Sequence, residues 1–200
     1  MPKHPLFRLA AAGALLLVIV AAALVYTPWG RGLWQGAGAA VGTAAIGGPF
    51  KLTDQNGKTR TDADFRGQYL LVFFGYSNCP DTCPTTLQTL TDALDKLGPA
   101  ADRVTPIFIT IDPERDTVAA LKDYAANFHP RLVALTGSPA EIAAVAKEYR
   151  VYYGKSGEGP NYAMDHTALI YLMGPDGRYL GHFAPDSTAD DYVKELRQKL

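Results

Sequence analysis

The stretch Tyr69–Tyr76, YLLVFFGY, is apolar almost throughout. A strand with one solvated face alternates apolar and polar residues, so one that is apolar at nearly every position must be covered on both faces. The surrounding chain therefore needs helices on either side of a sheet. Val104–Ile111 (VTPIFITI) has the same character, and Thr85–Leu97 between them places Leu87, Leu90, Leu94 and Leu97 at helical spacing. Phe50–Leu52 and Arg131–Leu135 read as shorter strands, and Thr117–Phe128 and Pro139–Tyr149 as helices. Thr167–Met173 and Tyr179–Phe183 straddle Gly174-Pro175-Asp176-Gly177, a hairpin signal, and Thr188–Leu200 closes as a helix. Alternating strands and helices predict an α/β fold whose central sheet is mainly parallel, with one antiparallel edge.

This order matches the thioredoxin-like pattern, with an N-terminal extension and inserted elements, on residues 47–200. The 200 residues carry 19 basic and 20 acidic side chains, a net charge of −1. No basic surplus exists to neutralise a nucleic-acid backbone, and no nucleic-acid partner is expected. The near balance hides an asymmetry. Residues 1–46 hold no Asp or Glu and only Lys3, Arg8 and Arg31, which leaves 16 basic and 20 acidic residues in 47–200.

Within the uncharged head, Leu9–Tyr26 runs 18 residues without a charge. As a helix it spans about 27 Å, close to the thickness of a bilayer core. Lys3 and Arg8 precede it, and Arg31, Trp29 and Trp34 follow. The bias of positive charge points the amino terminus to the cytoplasm. The expected organisation is a cytoplasmic N-terminus (1–8), a single transmembrane anchor (9–26), a Gly/Ala-rich tether (27–46) and the globular body (47–200). A cleaved signal peptide ending near Ala21-Ala22-Ala23 is the alternative. Either reading exports the body to the periplasm of a bacterium, with the anchored form a single-pass inner-membrane protein.

The chain's two cysteines lie where the buried strand gives way to a helix, in Phe74-Gly75-Tyr76-Ser77-Asn78-Cys79-Pro80-Asp81-Thr82-Cys83-Pro84. Sheets flanked by helices bind ligands beyond the carboxyl ends of their strands. The CxxxC spacing of Cys79 and Cys83 brings both sulfurs to one side of a helical turn. The helix amino terminus is expected to favour thiolate at Cys83. Among the histidines, His129 reads as a surface or capping residue and His182 as half-exposed in the hairpin. His166 opens the strand Thr167–Met173, which in a thioredoxin-like sheet starts beside the cysteine loop, and Asp165 either orients it or caps. Two sulfurs and one imidazole are too few for an iron–sulfur cluster or a structural zinc site, whereas copper(I) accepts two or three soft ligands. Met164 and Met173 are further soft candidates, read first as packing.

These residues resemble the Sco/SenC family of membrane-anchored copper chaperones. Phe73 to Pro84 is similar to its copper motif, Ile111-Asp112-Pro113-Glu114-Arg115-Asp116-Thr117 to its next block, and Asp165-His166-Thr167 with Gly174-Pro175-Asp176-Gly177 to its histidine region. The resemblance covers about 47–200. It implies that Cys79, Cys83 and His166 bind copper, as copper(I) alone or in both oxidation states. It also implies a role in assembling the binuclear copper A centre of cytochrome c oxidase. The partners it implies are the copper-site subunit of the oxidase, a copper donor protein and a thiol reductant. Asp112–Thr117 would shape the surface near the site, unless Asp116 or Thr117 merely caps the next helix.

The competing function is enzymatic: a thiol–disulfide oxidoreductase in which Cys79 and Cys83 form the redox pair and reduce the oxidase subunit's copper-site cysteines. The CxxxC spacing with an added histidine favours metal over that reading. A peroxidase fits less well, because neither cysteine completes a PxxxTxxC pattern; a hydrolase or nucleotide site has no support, because no Gly-rich phosphate loop follows a strand.

Overall fold

A computed structural model of the chain describes residues 14–18, 22–23, 46–159 and 162–200. The chain divides into two compact units, residues 1–43 and 44–200. Residues 14–18 and 22–23 are helical. The rest of the expected anchor, and the tether up to residue 45, lie outside the described residues. Among the described residues no helix is long and apolar enough to cross a membrane.

The second unit is a mixed α/β domain of thioredoxin-like architecture. Its elements are β1 (Lys51–Asp54), β2 (Thr59–Thr61), β3 (Tyr69–Gly75), α1 (Thr82–Leu97), β4 (Val104–Thr110), α2 (Val118–Ala125), β5 (Val133–Thr136) and α3 (Pro139–Glu148). They are followed by β6 (Tyr153–Ser156), β7 (Ala163–His166), β8 (Ile170–Met173), β9 (Tyr179–Phe183) and α4 (Ala189–Arg197). The main sheet has the order β2-β1-β5-β4-β3-β8-β9. Only its centre is parallel: β3 pairs β4, and β4 pairs β5. The β1–β2, β1–β5, β3–β8 and β8–β9 pairs are antiparallel. The expected mainly parallel sheet with a single antiparallel edge is thus corrected to a parallel core flanked on both sides. Parallel neighbours need a crossover helix, and only β3–α1–β4 and β4–α2–β5 supply one beside these strands.

The apolar runs behave as their composition requires. Val72, Phe73, Phe74, Ile107, Phe108 and Ile109 are all buried in the two middle strands. Helix α1 starts three residues before the expected Thr85. Its buried stripe is Cys83, Thr86, Leu87, Leu90, Ala93, Leu94 and Leu97, so Cys83 is the first member of the apolar face. Gly98, at φ 60°, ends the helix in a conformation that suits glycine. Helices α1 and α4 pack together, and the Tyr69 hydroxyl donates to the Lys199 carbonyl at 2.7 Å.

Two features were not expected from the sequence. The β6–β7 pair forms a separate two-stranded sheet. In consequence His166 closes β7, and does not open the strand that leads to Met173; residues 167–169 connect it to β8. Strand β8 pairs with β3 from Leu70↔Met173 to Phe73↔Ile170, so it stops short of Gly75. The connection before β8 thereby delivers His166 to the same sheet end at which β3 releases the cysteine loop.

Gly75 is the packing constraint at that end. A Cβ there would lie 2.8 Å from Cys83 Sγ and 2.8 Å from Phe108 Cε2. Neither neighbour can withdraw, since both are buried. Gly75→Ala should destabilise the domain by about 1–3 kcal/mol through overpacking, read as a lower urea midpoint. An unchanged midpoint would mean that Cys83 is less tightly packed than described.

Candidate metal centre

Beyond Gly75 the chain turns, with Cys79 N donating to the Tyr76 carbonyl at 3.2 Å, and enters α1 at Thr82. The helical stripe carries Cys83 inward until it is fully buried, while Cys79, one turn earlier, stays half-buried at the rim. The Asp81 side chain makes no N-terminal capping bond; the Cys83 amide instead donates to Cys79 Sγ at 3.4 Å. The helix amino terminus therefore serves Cys79. For Cys83 the expected stabilisation of thiolate is overturned: burial pushes its thiol far up, and the Tyr76 amide, which favours the anion, does not offset it.

Opposite Cys83 stands His166, with Nε2 at 4.0 Å from Cys83 Sγ. Its Nδ1 lies 3.0 Å from the Thr167 carbonyl, an acceptor only, so Nδ1 carries the proton and donates. Nε2 then presents its lone pair toward the sulfur. The rings of Phe73 and Tyr76 flank the imidazole at 6.1 and 6.3 Å between centroids, the second nearly perpendicular. Burial lowers the His166 pKa, opposed by its bond to Thr167. Asp165 is exposed, and the group that orients the ring is the Thr167 carbonyl.

The structure thus brings Cys83 and His166 together and places Cys79 beside them. Among the described residues no three His, Cys, Asp or Glu side chains already form a closed metal-holding group. The remaining candidates lie elsewhere. Met173 pairs with Leu70 at the opposite end of β3. Met164 is buried and lines a cavity of about 130 Å³ with Ile111, Asp112 and Tyr153. His129 accepts from Arg131 N at 3.2 Å, and its Nε2 lies 3.8 Å from Asp95. His182 is exposed and stacked on Tyr179.

The Asp112–Thr117 block does more than cap a helix. Thr117 does cap α2, accepting from Ala120 N at 3.2 Å. Asp116, fully buried, instead accepts from Ser77 N at 3.0 Å, from the Ser77 hydroxyl and from Thr110 Oγ1 at 2.6 Å. It fixes the start of the cysteine loop. Asp112, also buried, accepts from Arg115 Nε and from the Tyr162 hydroxyl at 2.7 Å. Reading the sequence alone missed Ser77, Tyr76 and Tyr162. The only signal available was their nearness in sequence, Tyr76 and Ser77 standing three and two residues before Cys79 and Tyr162 four before His166.

A family model described as SCO1/SenC matches residues 38–200. The human mitochondrial protein SCO1 homolog is 46% identical over 161 residues, covering 78% of this chain and 53% of its own length. The bovine mitochondrial SCO2 homolog is 43% identical over 175 residues, with 85% and 66% coverage. The chain spans about half to two thirds of the length of these relatives. Among solved structures, copper-bound ScoI of Bradyrhizobium japonicum is 50% identical with a TM-score of 0.74, covering 78% of this chain and all of that one.

Because burial lowers the His166 pKa below the ordinary 6.5, the unfolded chain binds more protons near that pH than the folded one. This contribution to stability is complete above pH 6.5 and is lost as the pH falls below it. The urea midpoint should therefore fall more steeply as the pH drops below about 6.5 in the wild type than in His166→Ala. Parallel slopes would mean that the imidazole is solvated.

Proposed function

The chain belongs to the SCO1/SenC family, and from that premise we propose that its body carries copper on Cys79, Cys83 and His166 for assembly of the copper A centre of cytochrome c oxidase. The observation that carries the reading is the pair of a core-buried thiol and an oriented imidazole lone pair 4.0 Å apart. Bond lengths known from zinc sites, about 2.3 Å to thiolate and 2.0 Å to imidazole, span about 4 Å when bent to roughly 135°. A single ion therefore fits between Cys83 and His166, and Cys79 is the third donor at the rim. Soft sulfur donors select copper(I), and relatives such as the Bradyrhizobium ScoI hold copper.

The chemistry is ligand exchange. Copper(I) displaces the thiol protons as it binds, which offsets the cost of ionising Cys83 in the core. Cys79, half-exposed, is the ligand that a partner's thiolate can replace first, leaving the ion shared between the two proteins until Cys83 and His166 let go. Copper keeps its oxidation state throughout. The anchor at 9–26, the tether at 27–46 and a periplasmic body are part of this proposal, since they would hold the carrier beside a membrane-embedded oxidase.

A second reading has its own support. A structural relative at 28% identity, BsSco, is described as a member of the Sco family of cytochrome c oxidase assembly proteins with a disulfide switch. In that reading Cys79 and Cys83 act as a dithiol that reduces the oxidase cysteines, and an external reductant restores them.

His166 separates the two. Two thiolates suffice for copper(I), so His166→Ala should weaken copper(I) binding without abolishing it, and copper(II), which prefers nitrogen and oxygen donors, should suffer more. Thiol exchange needs only the sulfurs and should persist. Cells carrying only His166→Ala should fail to assemble the oxidase. Normal assembly would assign the function to the redox pair.

A further inference from the structure

The two sides of the proposed site are held in different ways. Cys83 is part of the core and moves only with it. His166 sits on the β6–β7 hairpin, outside the main sheet, where Met164 is the one strand residue buried in the core and about half of the others are exposed. Something must hold that hairpin against the domain if the imidazole is to keep its distance from the sulfur.

One loop grips both sides. Its carboxylate Asp116 binds Ser77 at the start of the cysteine loop. Four residues earlier Asp112 accepts from the hydroxyl of Tyr162, which immediately precedes β7 and stands four residues before His166. Arg115 ties the two together. Its Nε donates to Asp112, its Nη1 donates to the Tyr162 carbonyl at 3.0 Å, and its guanidinium lies 3.7 Å from the Tyr162 ring centroid. Lys155, on the other hairpin strand, reaches the same ring at 4.5 Å and pairs with Glu114 at 2.7 Å. Arg115 Nη2 is buried with no hydrogen-bond partner among the described residues, so the guanidinium is held only by Asp112 and Tyr162 and by ring contacts. Flat stacking and a fixed fork of donors are properties of arginine that lysine lacks.

We infer that Asp112, Arg115 and Tyr162 form a brace that positions His166, and that this brace governs how well the site holds copper(II) relative to copper(I). The inference rests on the reading of Cys79, Cys83 and His166 as ligands. Its direction follows from donor preference: two thiolates alone hold copper(I), whereas copper(II) depends on the nitrogen donor. Loosening the hairpin therefore penalises copper(II) and spares copper(I). Tyr162 and Arg115 are positioning residues and touch no metal.

The test uses the purified full-length chain with Tyr162→Phe, which removes only the hydroxyl, and Arg115→Lys, which keeps the charge but not the fork. Loss of a partner bonded directly to a ligand costs about 10–100-fold in metal affinity; these residues act one contact further out, so a loss at the lower end, about 10-fold, is expected for copper(II) in both variants. The nitrogen hyperfine splitting of the bound copper(II) should weaken, with copper(I) affinity near wild type. Unchanged copper(II) binding, or equal loss of both oxidation states, overturns the brace. His166→Ala run alongside separates the two claims: if it binds copper(II) like the wild type, the ligand reading fails and the brace falls with it. If His166→Ala loses copper(II) but Tyr162→Phe and Arg115→Lys do not, only the brace fails. If one variant does not fold by circular dichroism, the other decides, and unfolding of both makes the loop a requirement of the fold and also overturns the claim.

Discussion

Cys83 belongs at once to the hydrophobic core and to the proposed site, and most of the local architecture follows from that double membership. It is the first residue of the α1 stripe that continues through Leu87, Leu90, Leu94 and Leu97. Its sulfur packs beside Gly75 and Phe108 at the end of the two middle strands. A close-packed interior tolerates little displacement. The thiol therefore has one position, and the other groups of the site are arranged around it. The same burial makes its ionisation costly, and in the proposed site the copper ion would offset that cost.

The rim of the site is organised by two buried carboxylates on one short loop. Asp116 and Asp112 face different neighbours, Ser77 on the cysteine side and Tyr162 on the histidine side. Buried carboxylates are expensive unless their lone pairs are satisfied. Here amide, hydroxyl and guanidinium donors satisfy them, and the cost of burying them secures a fixed relation between two segments far apart in sequence.

Much of this was legible in the sequence. The uniformly apolar β3 and β4, the α1 repeat and the β8–β9 hairpin follow from periodicity and turn chemistry, and the cysteine loop falls at a strand end as sheets of this kind require. The β6–β7 hairpin was not legible, because its strands are short and largely polar, with Gly154 inside the first and Gly157 and Gly159 in the connection between them. Missing it put His166 at the wrong end of the wrong strand, although beside the correct loop. The mainly parallel sheet was over-read because helices imply crossovers only between the strands they join. The thiolate expectation for Cys83 weighed the helix terminus and not burial; starting α1 at Thr85 hid that Cys83 continues the Leu87–Leu97 stripe inward. The roles of Asp112, Asp116 and Tyr162 depend on contacts across tens of residues, for which a single sequence carries no local signal.

The central claim is that one copper ion is held jointly by the core thiol, the rim thiol and the hairpin imidazole. X-ray absorption spectroscopy of the copper(I)-loaded full-length chain tests it directly, because the fine structure counts sulfur and nitrogen neighbours. The account predicts two sulfurs and one imidazole nitrogen, with the nitrogen contribution lost in His166→Ala and one sulfur lost in Cys83→Ser. A copper ion bound by two sulfurs with no imidazole signal in the wild type, or a spectrum unaffected by Cys83→Ser, would contradict it.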